Sequence, residues 1–144
     1  MRCDLSGNVA FVTGAAGAIG SAIARRLADN GAAVVVADIN LAGAEAVARE
    51  LPNAMACAVD IRSEAAIDAA VNATLERYGR LDILVNNAGV NTFANRVTID
   101  SFPTEEWDRI TSIDLDGLFL MSRRALAPML AAGRGGRIVN IASV

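Results

Sequence analysis

Short runs of apolar, β-prone residues alternate along the chain with segments whose apolar positions recur every three or four residues. The runs contain few polar interruptions, as expected for strands that are buried on both faces of a sheet. They predict five strands, at residues 9–13, 32–38, 54–60, 81–89 (ending in a turn) and 137–141. Strands that alternate with helices in this way predict an α/β fold with a parallel, doubly wound sheet covered on both faces.

Four helices are predicted between the strands, each with apolar residues spaced to share one face. They are a helix carrying Ile19, Ile23 and Leu27, a helix over residues 41–51 closed by Pro52, a helix capped by Ser63 that carries Ile67, Val71 and Leu75, and a long helix over residues 104–132. Thr104 is predicted as the N-cap of the long helix, with Glu105 and Glu106 in its first turn, and Pro128 as the site of a bend. No linker or internal repeat divides the pattern, so a single domain is expected.

Composition excludes several classes of function. An apolar fraction of 53% supplies a substantial core, and a net charge of −3 without a basic run argues against a nucleic-acid partner. The chain contains no histidine. This excludes Ser-His-Asp hydrolysis and histidine-ligated zinc, and no metal site is predicted.

The remaining composition favours a cytoplasmic protein that does not enter a membrane. Cys3 and Cys57 lack a CxxC spacing and are expected to be reduced thiols. Residues 5–24 form an uncharged run long enough to span a bilayer, but glycines and polar residues interrupt it. This run is better explained as a strand, a glycine turn and a helix.

A glycine-rich turn, "VTGAAGAIG", follows the first strand and opens the first helix. Glycines at such a turn let backbone N–H groups approach a pyrophosphate at the helix N-terminus. The spacing Gly14-x-x-Gly17-x-x-Gly20 departs from G-x-G-x-x-G, and a turn of this kind also serves simple helix–strand packing.

Asp38 ends the second strand, where an acid can bind the adenosine ribose hydroxyls of a dinucleotide. A carboxylate repels a 2′-phosphate, and Ala16 and Ala18 leave the turn without a base to attract one. NAD is therefore predicted in preference to NADP. The alternative for Asp38 is a solvated acid at a strand end.

With "TGAAGAIG", Asp38, "NNAG" (residues 86–89) and "GRIVNIAS" read in order, the chain resembles the short-chain dehydrogenase/reductase family over essentially its whole length. The resemblance implies a Rossmann-type sheet with five strands in the order 3-2-1-4-5. It also implies that residues 1–144 form one incomplete NAD(P)-binding domain whose C-terminal part is missing.

The resemblance assigns roles to particular residues. The cofactor-binding residues it implies are Gly14, Gly17, Ile19 and Gly20 at the diphosphate, Asp38 at the adenosine ribose, Asp60 and Ile61 at the adenine, and Asn87 and Gly89 at the nicotinamide-side ribose. Ser143 matches the catalytic serine that hydrogen-bonds the substrate oxygen, although a serine at a strand end commonly only caps a turn. Asp114 stands where the family more often has an asparagine that holds a water in the proton relay.

The glycine spacing, with Ala18 where the classical branch usually has glycine, is similar to that of the epimerase-type branch. The "NNAG" and "IVNIAS" segments are typical of the classical branch, which we therefore favour.

Asp114 is unusual independently of the family, because it lies in an apolar helical stripe. At about 100° per residue, the residues within about 40° of it are Trp107, Ile110, Leu118, Met121 and Ala125. An unpaired acid is costly to bury, so Asp114 either meets donors inside or faces a solvated functional site, and the second is favoured. Trp107 and Met121 are predicted to be core residues, and Asp116 to lie on the opposite face.

In the family, a tyrosine with a lysine four residues further along carries the proton, about a dozen residues past the serine. The only tyrosine here is Tyr78, and all 13 basic residues are arginine. The chain is therefore predicted to be a truncated short-chain oxidoreductase that would transfer hydride between NAD and a secondary alcohol or ketone. The alternatives are a catalytically silent NAD-binding module and an epimerase-type enzyme.

The expected partners are a small-molecule substrate and further copies of the chain. The segment after "NNAG" is predicted to border the substrate, with Asn91 and Arg96 available for the polar groups of a sugar- or polyol-like molecule. The fifth strand would form an uncovered apolar edge of the sheet, which predicts self-association or a homo-oligomer.

Overall fold

The fold was analysed in a computed structural model that describes residues 3–92 and 97–142. The five predicted strands are present, as β1 (Val9–Thr13), β2 (Ala33–Asp38), β3 (Ala54–Ala58), β4 (Ile83–Asn86) and β5 (Arg137–Asn140). All pairings are parallel and the strand order is β3-β2-β1-β4-β5. The predicted fold class and strand order are confirmed. The third strand ends at Ala58, two residues before the predicted Asp60.

Helices connect the strands and cover both faces of the sheet. They are α1 (Ala18–Asp29), α2 (Leu41–Arg49), α3 (Glu64–Tyr78), α4 (Thr104–Thr111) and α5 (Leu118–Ala132), with a short 3₁₀ turn at Ile99–Ser101. None of the helices in the described part of the chain combines the length and apolar character needed to cross a bilayer.

Two apolar layers form because successive side chains of a strand point to opposite faces. On one face, Phe11 of β1 and Leu84 of β4 pack with α3 and α5, where Met121 is fully buried. On the other face, Val12 packs beneath the alanine-rich inner sides of α1 and α2. The prediction that Met121 is a core residue is confirmed.

The predicted long helix is interrupted, which corrects the prediction of one continuous α-helix. A π-helical segment at Ser112–Gly117 separates α4 from α5. A π segment changes the angular spacing of the residues, so a helical wheel with a uniform period misplaces the positions on its far side. The prediction that Trp107 is a core residue is wrong, since its side chain is 57% exposed. Thr104 is the first helical residue rather than the N-cap, which is Pro103.

Candidate functional site

The glycine turn joins β1 to α1 at the carboxyl edge of the sheet. Gly14 has φ +64°, a left-handed conformation that favours glycine, and a Cβ there would lie 2.8 Å from Cα of Ala88. Gly20 faces the turn so closely that a Cβ would lie 2.3 Å from the carbonyl oxygen of Gly14 and 2.7 Å from Nδ2 of Asn87. The turn is therefore packed against both its own helix and the segment that follows β4.

Gly17 differs from these two glycines because it opens towards a cleft. A Cβ there would meet only the Gly14 carbonyl oxygen, at 3.4 Å. Gly17 is also the N-cap of α1. Because the first amides of a helix lack partners within the helix, this end offers N–H donors and a partial positive charge to an anion. An open backbone at this point fits a diphosphate group.

Asp38 at the end of β2 is fixed by backbone amides. Its Oδ2 accepts the N–H of Ala16 at 2.9 Å, and its Oδ1 accepts the N–H of Asn40 at 2.9 Å. Each carboxylate oxygen keeps a free lone pair, so the group can still accept a ribose hydroxyl. The side chain is positioned at one end of the cleft, where Ile39 also lines the wall.

Asp60 and Ile61 follow β3, next to Asp38 along the same edge. Both oxygens of Asp60 are paired with the guanidinium of Arg62, at 2.9 Å from Nε and 2.7 Å from Nη2. Hydrogen bonding from Arg62 holds the pKa of Asp60 below its usual value, against a smaller effect of burial. The sequence did not single out Arg62, which lines the cleft beside Ile61.

Thr13, the last residue of β1, organises the turn after β4. Its hydroxyl accepts the N–H groups of Asn87 and Ala88, both at 3.0 Å, and donates to the carbonyl of Val85 at 3.3 Å. The Asn87 side-chain amide in turn donates to the carbonyls of Thr13 and Gly14, at 3.0 and 3.2 Å. Sequence reasoning missed Thr13, because its partners lie more than 70 positions away along the chain.

Asp114 lies in the π segment and contacts the turn that follows β4. Its Oδ1 accepts the N–H of Val90 at 2.8 Å, and a Cβ on Gly89 would lie 3.4 Å from that oxygen. The carboxylate is exposed rather than buried in the helical stripe. Of the two environments considered from sequence, Asp114 occupies the solvated one beside the site, in the kind of helical irregularity that recurs at functional sites.

Arg109 reaches the same turn from α4. Its Nε and Nη2 bind both oxygens of Glu106 at 2.8 Å, and Nη2 also donates to the carbonyl of Asn91 at 3.2 Å. The hydrogen bonds to Glu106 raise the pKa of Arg109, and the charges of Glu106 and Asp114 add to this effect against burial. Arg109 was not identified from the sequence, although it lines the cleft.

One cleft of about 560 Å³ lies at the carboxyl ends of β1 to β4 and is lined by residues that follow these strands, by the start of α1 and by Arg109. All nine residues expected to bind a cofactor line it, namely Gly14, Gly17, Ile19, Gly20, Asp38, Asp60, Ile61, Asn87 and Gly89. Asp114 lies behind Gly89. Ser143 and Arg96, predicted to contact substrate, lie outside the described residues. A cleft at the point where the strand order reverses is where open α/β sheets bind dinucleotides.

Comparison with known proteins identifies the lineage. A sequence profile for the family described as short chain dehydrogenase matches residues 8–144. Sorbitol dehydrogenase of Cereibacter sphaeroides is 43% identical over 144 residues, covering 99% of this chain and 54% of that protein. D-threitol dehydrogenase of Mycolicibacterium smegmatis is 43% identical over 143 residues, covering 96% of this chain and 54% of that protein.

A solved structure extends the comparison to three dimensions. The crystal structure of 3-ketoacyl-(acyl-carrier-protein) reductase from Brucella melitensis complexed with NADH matches with a TM-score of 0.91 and 42% identity, over 97% of this chain and 59% of that one. The chain thus spans about half the length of the curated relatives it matches.

Proposed function

The chain belongs to the short-chain dehydrogenase/reductase family, and from that premise we propose that its cleft binds NAD in an enzyme that interconverts a secondary alcohol and the corresponding ketone. The observation that carries the proposal is the convergence of the nine expected cofactor residues on one cleft at the strand-order reversal. The relatives named above are dehydrogenases and a reductase, and the structural relative was solved with NADH.

In this proposal the glycine turn holds the diphosphate. The open backbone at Gly17 and the N-terminal amides of α1 would receive it, and Ile19 and Gly20 would line the same wall. Bound NAD supplies the hydride acceptor, and NADH the hydride donor. The chain's own contribution here is to orient that group and to exclude water from one side of it.

Asp38 supports the choice of NAD over NADP. Its carboxylate is held in place by the amides of Ala16 and Asn40, so it cannot turn away from a ligand at the end of β2 without breaking both hydrogen bonds. A fixed anion there accepts ribose hydroxyls and repels a 2′-phosphate. Arg62 does not offset this preference, because its guanidinium is already engaged by both oxygens of Asp60.

The proton-transfer side of the reaction is proposed from fewer residues. Ser143 would hydrogen-bond the substrate oxygen, and Asp114 would hold the turn at Gly89 and Val90 in position. Tyr78 is not suited to move the substrate proton, because it ends α3 just before β4 begins, at the edge of the sheet opposite the cleft. The complete reaction is therefore proposed only where a further group able to move the substrate proton is also present.

A polyol is the substrate class that we propose. Two relatives that match nearly the whole chain are named for sorbitol and D-threitol. The guanidinium of Arg109 on α4 lines the cleft and contacts the turn at Asn91, and it offers a polar partner for hydroxyl groups.

Calorimetric titration with NAD⁺ and NADP⁺, followed by assays of NAD⁺ reduction with sorbitol, galactitol and threitol, tests the proposal. We expect micromolar binding of NAD⁺, much weaker binding of NADP⁺, and reduction with at least one polyol. Gly17→Val should abolish binding by filling the open backbone position, whereas Ala46→Val, on the exposed side of α2, should not change it. NAD⁺ binding without turnover of any alcohol would leave the silent-module alternative, and absence of binding would refute the proposal.

A further inference from the structure

The two halves of the cleft differ in position along the sheet. Asp38 and Asp60 follow β2 and β3, on one side of β1, whereas Gly89 and Val90 follow β4, on the other side. If the adenosine half of the dinucleotide lies at Asp38, the nicotinamide half must lie on the β4 side of the glycine turn. This placement of the nicotinamide half rests on the proposed function.

Asp114 is an acid that contacts the turn after β4 on that side. Its two carboxylate oxygens would lie 3.4 and 3.7 Å from a Cβ on Gly89, so the carboxylate lies directly beside a residue that lines the cleft. The hydrogen bond from Val90 N–H, at 2.8 Å, fixes its position. The anion is therefore held against the wall at which the nicotinamide half would bind.

The neighbouring charges do not cancel this anion. The charge of Asp114 helps to raise the pKa of Arg109. However, Nε and Nη2 of Arg109 both bind the carboxylate of Glu106 at 2.8 Å. Glu106, Arg109 and Asp114 carry −1, +1 and −1, which sum to −1. Arg109 lines the cleft with its charge paired by Glu106, and Asp114 lies behind Gly89, so the three charges together leave a net −1 on this side of the cleft.

The oxidised nicotinamide ring carries a positive charge, and the reduced ring is neutral. A fixed carboxylate close to the ring attracts the oxidised form only, and binding that favours one redox state shifts the equilibrium of the bound pair toward it. We propose that Asp114 sets the redox preference of the cleft, binding NAD⁺ more tightly relative to NADH and so shifting the bound pair toward NAD⁺, which favours reduction of the ketone. Because Asp114 acts by charge, it is a positioning and tuning residue rather than a proton carrier.

The substitution Asp114→Asn isolates the charge, because the asparagine oxygen can still accept the N–H of Val90. The quantity to measure is the ratio Kd(NADH)/Kd(NAD⁺), by calorimetry or by nicotinamide fluorescence at low salt. We expect Asp114→Asn to lower this ratio by about two- to tenfold, and added salt to reduce the difference between the two proteins. A general loss of folding would weaken both ligands equally and leave the ratio unchanged.

Two further variants sharpen the test. Arg109→Gln removes the positive charge and should raise the ratio, a change of opposite sign that unfolding cannot produce. Asp116→Asn removes the same charge from another exposed position of the π segment and should leave the ratio unchanged.

When the variants bind both forms with overall affinity close to that of the wild type, a ratio that Asp114→Asn does not change, or that Asp116→Asn changes equally, overturns the inference while leaving NAD binding established. Failure of the wild-type protein to bind either form overturns the proposed function itself, and this inference with it.

Discussion

The carboxylate of Asp38, the last residue of β2, accepts the backbone N–H of Ala16 at 2.9 Å and so stabilises the glycine turn that follows β1. The same carboxylate accepts the N–H of Asn40, which caps α2. One side chain thus connects the turn, the second strand and the second helix.

Asp38→Asn is expected to change cofactor selectivity. Asparagine keeps one acceptor oxygen but loses the charge that repels a 2′-phosphate. The ratio Kd(NADP⁺)/Kd(NAD⁺) should fall by about tenfold or more, equivalent to about 1.4 kcal/mol. Titration of both cofactors measures this ratio. Asp29→Asn, an exposed acid at the far end of α1, serves as the control, and equal selectivity in wild type and Asp38→Asn would contradict the role given to Asp38.

Thr13→Val should destabilise the protein by about 2–4 kcal/mol, because it leaves the N–H groups of Asn87 and Ala88 without their acceptor. The change nearly conserves volume at a position that is 1% exposed, so packing contributes little. Thr74→Val is the matched control. That buried hydroxyl only donates to the carbonyl of Ala70, and its loss should cost less than about 1 kcal/mol. Urea unfolding of both variants measures the difference, and similar costs would refute the role of Thr13 as an acceptor.

Asp82 should make stability depend on pH. Burial raises the pKa of Asp82, but hydrogen bonds from Arg80 and the N–H of Val9, with the charges of Arg80 and Arg134, together outweigh it and hold the pKa below its usual value. A depressed pKa in the folded state stabilises the protein at pH values above about 4, the unfolded value, and this contribution is lost as the pH falls through the folded value.

Asp82→Asn is accordingly expected to lower the free energy of unfolding by about 1–3 kcal/mol at pH 7, with a difference from wild type that narrows below about pH 4. Asp68→Asn, which breaks an exposed pair with Arg124, should cost less than about 1 kcal/mol. Denaturation at a series of pH values distinguishes them. A difference for Asp82→Asn that stays constant down to the acid limit would show that its charge is not involved.

We also predict self-association of the 144-residue chain through β5. Within the described ranges this strand pairs with β4 alone, and Ile138 and Val139 on it are 38% and 45% exposed. An apolar strand edge favours pairing with another chain. Sedimentation at micromolar concentration should give a mass above 14.9 kDa, and Val139→Lys should reduce it. Leu41→Lys, at an exposed position in α2, should have no effect, and a sharp 14.9 kDa species for the unmodified chain would refute the prediction.

The strands and the cleft could be predicted because their signals are local. Buried parallel strands form continuous apolar runs, and a glycine turn between a strand and a helix has its own spacing. An acid at the end of β2 and the "NNAG" turn after β4 had to meet at one edge once the strands were parallel. The family was identified from its resemblance to these motifs, which also implied the individual cofactor residues.

The features that escaped prediction depend on contacts between distant parts of the chain. The role of Thr13 requires knowledge that β1 and β4 are adjacent, and the pairing of Arg109 with the turn requires the path of α4. The π segment eluded the helical wheel because the wheel assumes a uniform period. The π segment lies between Trp107 and Met121, so the two residues do not share one face although the wheel places them on one stripe. Met121 is buried as predicted, and Trp107 is exposed.

The close approach of Gly20 to Gly14 and Asn87 has a consequence for ligand binding. The turn is held on one side by Asp38 and on the other by Asn87, and the contact at Gly20 leaves it no room to shift. The glycine turn is therefore preorganised for the binding of a dinucleotide. The conformational entropy lost on binding then falls mainly on the ligand, and structures with and without cofactor should superpose closely at this turn.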